Sequence, residues 1–416
     1  MAGSMPLDQR AASSTSTETA SCCIVGGGPA GIMLGFLLAR RGVDVLILEK
    51  HKDFFRDFRG DTIHPSTLQV IKELGLLEEL LRQPHQEVRQ IGAHFGNREV
   101  HIADFSRLPT DCKFIAFMPQ WDFLNFVSSH ARRFPNFRLK MEANVTDLLI
   151  ENDRVVGVSA ETPAGTLHVR AGLVVAADGR NSTIRSRAGF EVIDSGAPID
   201  VLWFRLAKQA DDPPQAFGFA APGAFLVMIN RGDYWQIAYV IRKGGFDEIQ
   251  ARGLEAFASD LARCAPFLAD RGRAIQSWDE VKLLSVRVDH LRHWYRDGLL
   301  CIGDCAHAMS PIGGVGINLA IQDAVAAARL LAPGLVRNDV RVRDLKAVQH
   351  RRERPARMTQ RAQIFLHEHL IGPILSAKQS VDPPLLMKLV ERFPKLRGLP
   401  ARMVGMGFRP EHVDEE

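Results

Sequence analysis

Apolar residues along this chain follow two periodicities, and the switches between them outline its elements. Residues 21–25 form a short apolar run, residues 26–31 a glycine turn, and residues 32–41 an apolar face at helical spacing closed by Gly42. Residues 43–48 are apolar again and end at Glu49. This order predicts a β-α-β unit with a parallel, right-handed crossover. After Pro65, the residues Leu68, Val70, Ile71 and Leu74 recur at helical spacing up to Gly75, and residues 120–134 predict a second amphipathic helix. Residues 145–150, 155–160 and 166–169 read as a β-meander with polar turns, and residues 173–177 as a further buried strand.

From about 200 to 288 the pattern changes to strands carrying aromatic residues, with one helix near 254–263. That predicts a separate, mostly antiparallel sheet. Residues 299–302 restore a short buried strand, followed by a glycine loop and an Ala-rich helix over 318–331. Beyond Pro333 the chain is helical and Arg-rich, broken near Pro373 and Pro383, and its basic face is expected to be solvated. Residues 1–19 are Ser/Thr/Ala-rich without an apolar centre, which predicts a disordered leader rather than a signal peptide.

Composition narrows the class only slightly. With 46% hydrophobic and 24% charged residues the chain is an ordinary globular protein, and 52 Lys and Arg against 48 Asp and Glu call for no nucleic-acid partner. The six cysteines show no secreted framework, so reduced core thiols and a cytoplasmic location are expected. No uninterrupted apolar run reaches the roughly 18 residues of a membrane-spanning helix. The Arg351 to Arg361 stretch leaves peripheral membrane contact open.

Chemistry enters with Gly26, Gly28 and Gly31, which satisfy a dinucleotide fingerprint directly after a strand and at the opening of a helix. Gly26 permits the tight turn, Gly28 lets a pyrophosphate approach the backbone, and Gly31 lets helix and strand pack closely. The helix start offers roughly half a positive charge to phosphate, and Glu49 can accept hydrogen bonds from a ribose diol. Pro29, Ala30, Lys50 and Val145 are assigned to the same cofactor site. The fingerprint does not separate FAD from NAD.

The segment Gly298-Leu299-Leu300-Cys301-Ile302-Gly303-Asp304-Cys305-Ala306-His307-Ala308-Met309-Ser310-Pro311-Ile312-Gly313-Gly314-Val315-Gly316-Ile317-Asn318 makes that separation. Here the chain resembles the single-component FAD-dependent aromatic hydroxylases, the group that includes para-hydroxybenzoate hydroxylase and the ubiquinone-biosynthesis hydroxylases. The resemblance implies that Asp304 contacts the ribityl chain and that Pro311, Gly314, Gly316, Ile317 and Asn318 cradle the flavin ring. Pro311 is also assigned to the catalytic site. Backbone N–H groups and a helix dipole there would stabilise negative charge on a reduced ring. The segment Val174-Val175-Ala176-Ala177-Asp178-Gly179-Arg180 resembles the family's Asp-Gly motif and implies a cofactor role for Asp178. Arg59 and Gln120 match, by position, a flavin-site arginine and a cofactor-contacting glutamine, with a surface salt bridge or helix cap as the competing role.

The implied fold is α/β. A Rossmann-like FAD-binding domain is built from residues 21–92, 113–195 and 286–335, behind a leader over 1–20. A substrate-binding β-sheet domain over 93–112 and 196–285 is inserted in it, and a helical region over 336–416 follows. The implied chemistry is hydroxylation of an aromatic or lipophilic molecule by O2 through a flavin C4a-hydroperoxide, with NADPH or NADH as transient reductant. His64 is the candidate base for a ring hydroxyl, with capping of the helix at Pro65 as its competing role. Arg205, Phe225 and Gln236 are the candidate substrate contacts, and no metal site is assigned. Which face of the strand over 234–240 meets substrate is left open. FAD is expected to be non-covalent, with Cys305 a buried thiol. A reductase of the geranylgeranyl-reductase type would use the same cofactor motifs, and a non-catalytic FAD-binding sensor is the reading from another class. A halogenase is disfavoured because no Trp-x-Trp-x-Ile motif occurs.

Overall fold

The computed structural model describes residues 15–55, 61–96, 98–213, 218–379 and 381–413. It is an α/β structure in which two large sheets flank one cavity.

The first sheet has eight strands. Thr15–Val25 lies at its centre, parallel to Val45–Leu48 on one side and to Gly165–Ala176 on the other; Leu299–Cys301 extends the sheet in parallel beyond the latter. The residues 22–25, 45–48 and 173–176 are buried on both faces, as parallel strands covered by helices require. Helices Pro29–Arg40 and Gly316–Val336 supply that cover.

Two expectations are corrected here. The opening strand begins at Thr15, so residues 15–20 are not leader; they pair in register with residues 166–171. Their polar composition concealed a half-exposed strand, on which Glu18 binds Lys140 and Arg138 of the neighbouring Phe137–Lys140. Residues 166–169 and 173–177 are likewise one strand, Gly165–Ala176, whose first half pairs with the meander and whose second half is buried in the parallel sheet. Residues 1–14 lie outside the described residues.

The second sheet runs, from edge to edge, Lys282–Leu284, Ile199–Ala207, Tyr234–Arg242, Ala224–Asn230, Gly218–Ala221, Gln90–Phe95 and Arg98–Asp104. Strand alternation divides it into two chemistries. Leu202, Phe204, Leu226, Trp235, Ile237 and Tyr239 point to one face and form a core with helix Leu254–Cys264. Val201, Trp203, Phe225, Val227, Ala238 and Val240 point to the other, which is a wall of the cavity. On the strand over 234–240 it is the even-numbered side, with Ala238 and Val240, that faces the cavity.

The C-terminal region is helical, but its basic face is not simply solvated. In helix Val342–Leu366, Arg354, Arg357 and Arg361 are exposed, whereas Arg352 is 1% exposed and bound on both sides by carboxylates. Helices Leu385–Arg392 and Gly398–Gly405 then cross strand Arg98–Asp104 and border the cavity. The stretch Ile312–Val336 is long and apolar enough to span a membrane, yet 78% of its apolar window is buried in the protein core.

Candidate active site

The dinucleotide loop has the shape its glycines suggest. Gly26 adopts φ +105°, and a Cβ on Gly31 would lie 1.9 Å from the Gly26 carbonyl oxygen, so helix Pro29–Arg40 can sit this close to the strand only on glycine. A Cβ on Gly28 would meet nothing within 4 Å, and the helix start carries no side-chain cap. Open space in front of uncapped N–H groups suits a pyrophosphate. Glu49 Oε2 accepts from the Gly27 N–H at 2.7 Å and Oε1 from the His51 N–H at 3.0 Å, which fixes the carboxylate at the cavity edge.

Asp178 and Asp304 converge on the same cavity from the ends of adjacent parallel strands. Arg180 donates to Asp304 Oδ2 at 3.0 Å, while Asp178 Oδ2 accepts from the Ile184 N–H at 3.3 Å. Asp178 Oδ1 is buried with no hydrogen-bond partner among the described residues. An unfilled buried acceptor at the mouth of a phosphate-shaped loop is what a missing polar ligand would leave. These residues therefore fit an adenine dinucleotide.

The loop from Pro311 to Gly316 turns on Gly313 and Gly314, both at positive φ. The Gly314 N–H donates to the Pro311 carbonyl at 3.0 Å, and the Gly314 carbonyl accepts from Thr62 Oγ1 at 3.0 Å. A Cβ on Gly314 would stand 2.3 Å from Thr62 Oγ1. From below, Gln363 of helix Val342–Leu366 accepts from the Ser310 N–H and donates to the carbonyls of Ser310 and Ile312. Pro311, Gly314, Gly316 and Ile317 line the cavity.

Asn318 does not. Its Oδ1 accepts from the His64 N–H at 3.2 Å and from Thr67 Oγ1 at 2.7 Å, so its side chain ties two helix starts together instead of facing a ligand. His64 is the second correction. It is fully buried, away from the cavity, and its Nδ1 donates to the Val404 carbonyl at 2.8 Å, since that oxygen can only accept. Burial, only partly opposed by that hydrogen bond, lowers its pKa to about 4. A neutral imidazole with no route to the cavity cannot take a proton from a substrate held there.

Of the remaining assignments, Pro29, Ala30, Lys50, Gln120, Val145 and Phe225 line the cavity, and Arg59 lies outside the described residues. Arg205 is exposed and stacks over the Tyr234 ring at 5.0 Å, and Gln236 does not itself line the cavity, being taken up by Arg231 and Asp61 on the cavity side of its strand. Cys305 is a buried thiol off the cavity, 3.3 Å from Ser182 Oγ.

The sequence reading missed Asp61. It lines the cavity near the second sheet and forms a buried ion pair with Arg231; both side chains are 6% exposed. Arg231 Nε donates to Gln236 Oε1 at 3.1 Å, and Gln236 and the Gln120 N–H hydrogen-bond Asp61 in turn. Burial pushes the Asp61 carboxyl above the usual carboxylate range, and the Arg231 charge and these hydrogen bonds offset only part of that rise. The available signal was an acid one residue before Thr62, the last of three in the loop after Asp53 and Asp57.

Both groups of residues share one cavity of about 1570 Å³. This exceeds the roughly 300–1,000 Å³ of a single small-molecule pocket and leaves room for a cofactor and a second ligand.

The family described as FAD binding domain matches residues 18–362. The 6-methylpretetramide 4-monooxygenase of Streptomyces rimosus is 34% identical over 92% of this chain and 91% of its own length. The para-nitrophenol 4-monooxygenase of a Pseudomonas strain is 24% identical over 72% of this chain and 75% of its own. Among solved structures, the p-nitrophenol 4-monooxygenase of Pseudomonas putida superposes with a TM-score of 0.76 at 21% identity, covering 95% of this chain and 100% of that one. A myxobacterial FAD-dependent halogenase gives 0.74 at 19% identity over 96% and 92% of the two chains, so the shared fold does not by itself fix the chemistry. With its dinucleotide loop, its Gly-Asp and Asp-Gly motifs and its glycine loop around a single cavity, the chain belongs to the family of FAD-dependent aromatic monooxygenases.

Proposed function

We propose that this protein uses NAD(P)H and O2 to hydroxylate a bulky, lipophilic aromatic molecule. The observation that carries this reading is the continuity of the cavity. A dinucleotide loop and a glycine loop share it with an apolar sheet wall in which Asp61 is set. The 6-methylpretetramide 4-monooxygenase of Streptomyces rimosus, 34% identical over 92% of this chain, acts by its name on 6-methylpretetramide, and a cavity of about 1570 Å³ leaves room for a bulky substrate beside the cofactor.

In this reading FAD is bound non-covalently and, once reduced, supplies the oxygen-activating chemistry. Gly26 to Ala30 and Glu49 hold its adenine half, and Asp178, Arg180 and Asp304 its centre. The Pro311 to Ile317 loop presents backbone N–H groups and the uncapped start of helix Gly316–Val336 to its ring. Phe225, Val227, Ala238 and Val240 exclude water and bind the aromatic plane. Asp61 replaces His64 as the proton acceptor for a ring hydroxyl, with Arg231 and Gln236 fixing its orientation. The enzyme would act in the cytoplasm.

The test is a panel of phenols and larger hydroxylated aromatics added to the purified yellow protein with NADH or NADPH. At least one bulky aromatic should stimulate nucleotide oxidation and gain one oxygen by mass. A protein that oxidises NAD(P)H with none of them, or that turns over a substrate equally well without oxygen, is not this enzyme.

A further inference from the structure

We infer that the C-terminal helices form a docking surface for an anionic lipid bilayer and that the cavity opens toward that surface. Large apolar side chains exposed to solvent are not spread evenly over the molecule. Fourteen occur among the described residues, and seven of them fall between Leu385 and Phe408. Such clustering marks an interaction surface, whereas scattered single residues do not.

Leu385, Leu389 and Phe393 repeat at four-residue spacing along and just beyond helix Leu385–Arg392, while Val390 turns inward and is buried. Leu385 is 84% exposed and Phe393 53%. Neither lines the cavity, so no cofactor or substrate would cover them. Leu386, Leu389, Leu399, Met403 and Phe408 are exposed and line the cavity as well, which places its rim within this patch.

Charge selects the occupant. Residues 385–409 carry six cations, Lys388, Arg392, Lys395, Arg397, Arg402 and Arg409, against the single carboxylate of Glu391, which is already paired with Arg98. A second copy docked about a two-fold axis would set this basic surface against itself. An anionic bilayer would neutralise it. The long Lys and Arg side chains can reach headgroups while the leucines and Phe393 enter the acyl boundary, the arrangement of an interfacial helix. If the substrate is the lipophilic aromatic proposed above, it can pass from the bilayer into the cavity without crossing water; that last step alone rests on the functional reading.

The experiment is co-sedimentation of the full-length, FAD-loaded protein with phosphatidylcholine vesicles, with or without phosphatidylserine, at low and high salt. Binding should be about tenfold or more tighter to the anionic vesicles and should weaken in high salt. The double variant Leu385→Glu/Phe393→Glu should lose it, while Leu283→Glu, at an exposed leucine of the other sheet edge, should bind like the parent. Flavin absorbance and a thermal melt establish that each variant is folded. Absent binding, equal binding to neutral vesicles, or a folded double variant that still binds would overturn the inference. So would light scattering that shows a parent dimer split by the double variant, which would assign the face to a second copy. Turnover is not the readout, so failure of the docking and failure of the proposed reaction are separable.

Discussion

Two clusters of buried charge lie on either side of the glycine loop, and they differ in where their charge faces. Behind the loop, Asp323 is fully buried and accepts from the Gly303 N–H at 3.0 Å, from His307 Nε2 at 2.6 Å and from Arg352 Nε at 2.9 Å. Arg352 continues to Glu411, which Arg329 and Arg351 also bind. Burial alone would raise Asp323, but His307 and Arg352 outweigh it and hold the carboxyl below its usual range. In front of the loop, Asp61 has one arginine, one amide and the Gln120 N–H, borders the cavity, and sits above its usual range. A carboxylate whose partners outweigh its burial is a fixture that holds Gly303, and through it Asp304, in place. One whose partners do not, and which faces a cavity, is placed for proton transfer.

The largest expected effect is on the first cluster. Arg352→Met leaves Asp323 and Glu411 buried without their shared cation, and should cost about 3–5 kcal/mol in chemical denaturation. FAD should be retained more weakly in the same variant. Full stability and full flavin content would remove the distinction between the clusters.

Acidification separates stability from proton transfer. Burial holds both His64 and His367 at about 4, against an ordinary value of 6.5. The unfolded chain therefore binds more protons than the folded one between those values. Stability is fully present above about pH 6.5 and falls as pH drops toward 4, by on the order of 3 kcal/mol for His64. Melting temperatures across this window should fall less steeply in His64→Gln, whose acid limb of turnover should match the parent's.

The second cluster should respond in rate. With Asp61→Asn, product formation should fall about a hundredfold and its acid limb should flatten. Turnover in the parent should rise with pH as Asp61 loses its proton, at a pH above the ordinary carboxylate range. The double variant Asp61→Asn/Arg231→Gln removes both charges, and should recover the melting temperature without recovering the rate. Recovery of both would make the pair structural. The smallest effect is expected at Arg205→Ala, within about 0.5 kcal/mol in stability and without change in KM, because that side chain is on the surface, away from the cavity.

What the sequence disclosed follows the same division. Features encoded locally were legible: the Gly26 to Gly31 turn, the Asp304 to Gly316 loop, and the parallel strands whose apolar runs are buried on both faces. Residues 15–20 were not, because a strand exposed on one side and held by its ladder looks polar. Asn318 was drawn toward the cofactor and His64 toward a substrate hydroxyl by their places in the chain, whereas packing sets the Asn318 amide between two helix starts and the His64 ring on the Val404 carbonyl. Asp61 and Arg231 are far apart in the chain, and Arg231 follows a strand in a segment that reads as a surface turn. Only the folding of one sheet against the other brings them together.

The most direct test of the whole account is turnover in isotopically heavy O2, using an aromatic that stimulates NAD(P)H oxidation. The expected product carries one heavy oxygen atom, forms in proportion to nucleotide consumed and is absent when oxygen is excluded. A product whose new oxygen comes from water, or one formed as readily under argon, would contradict it.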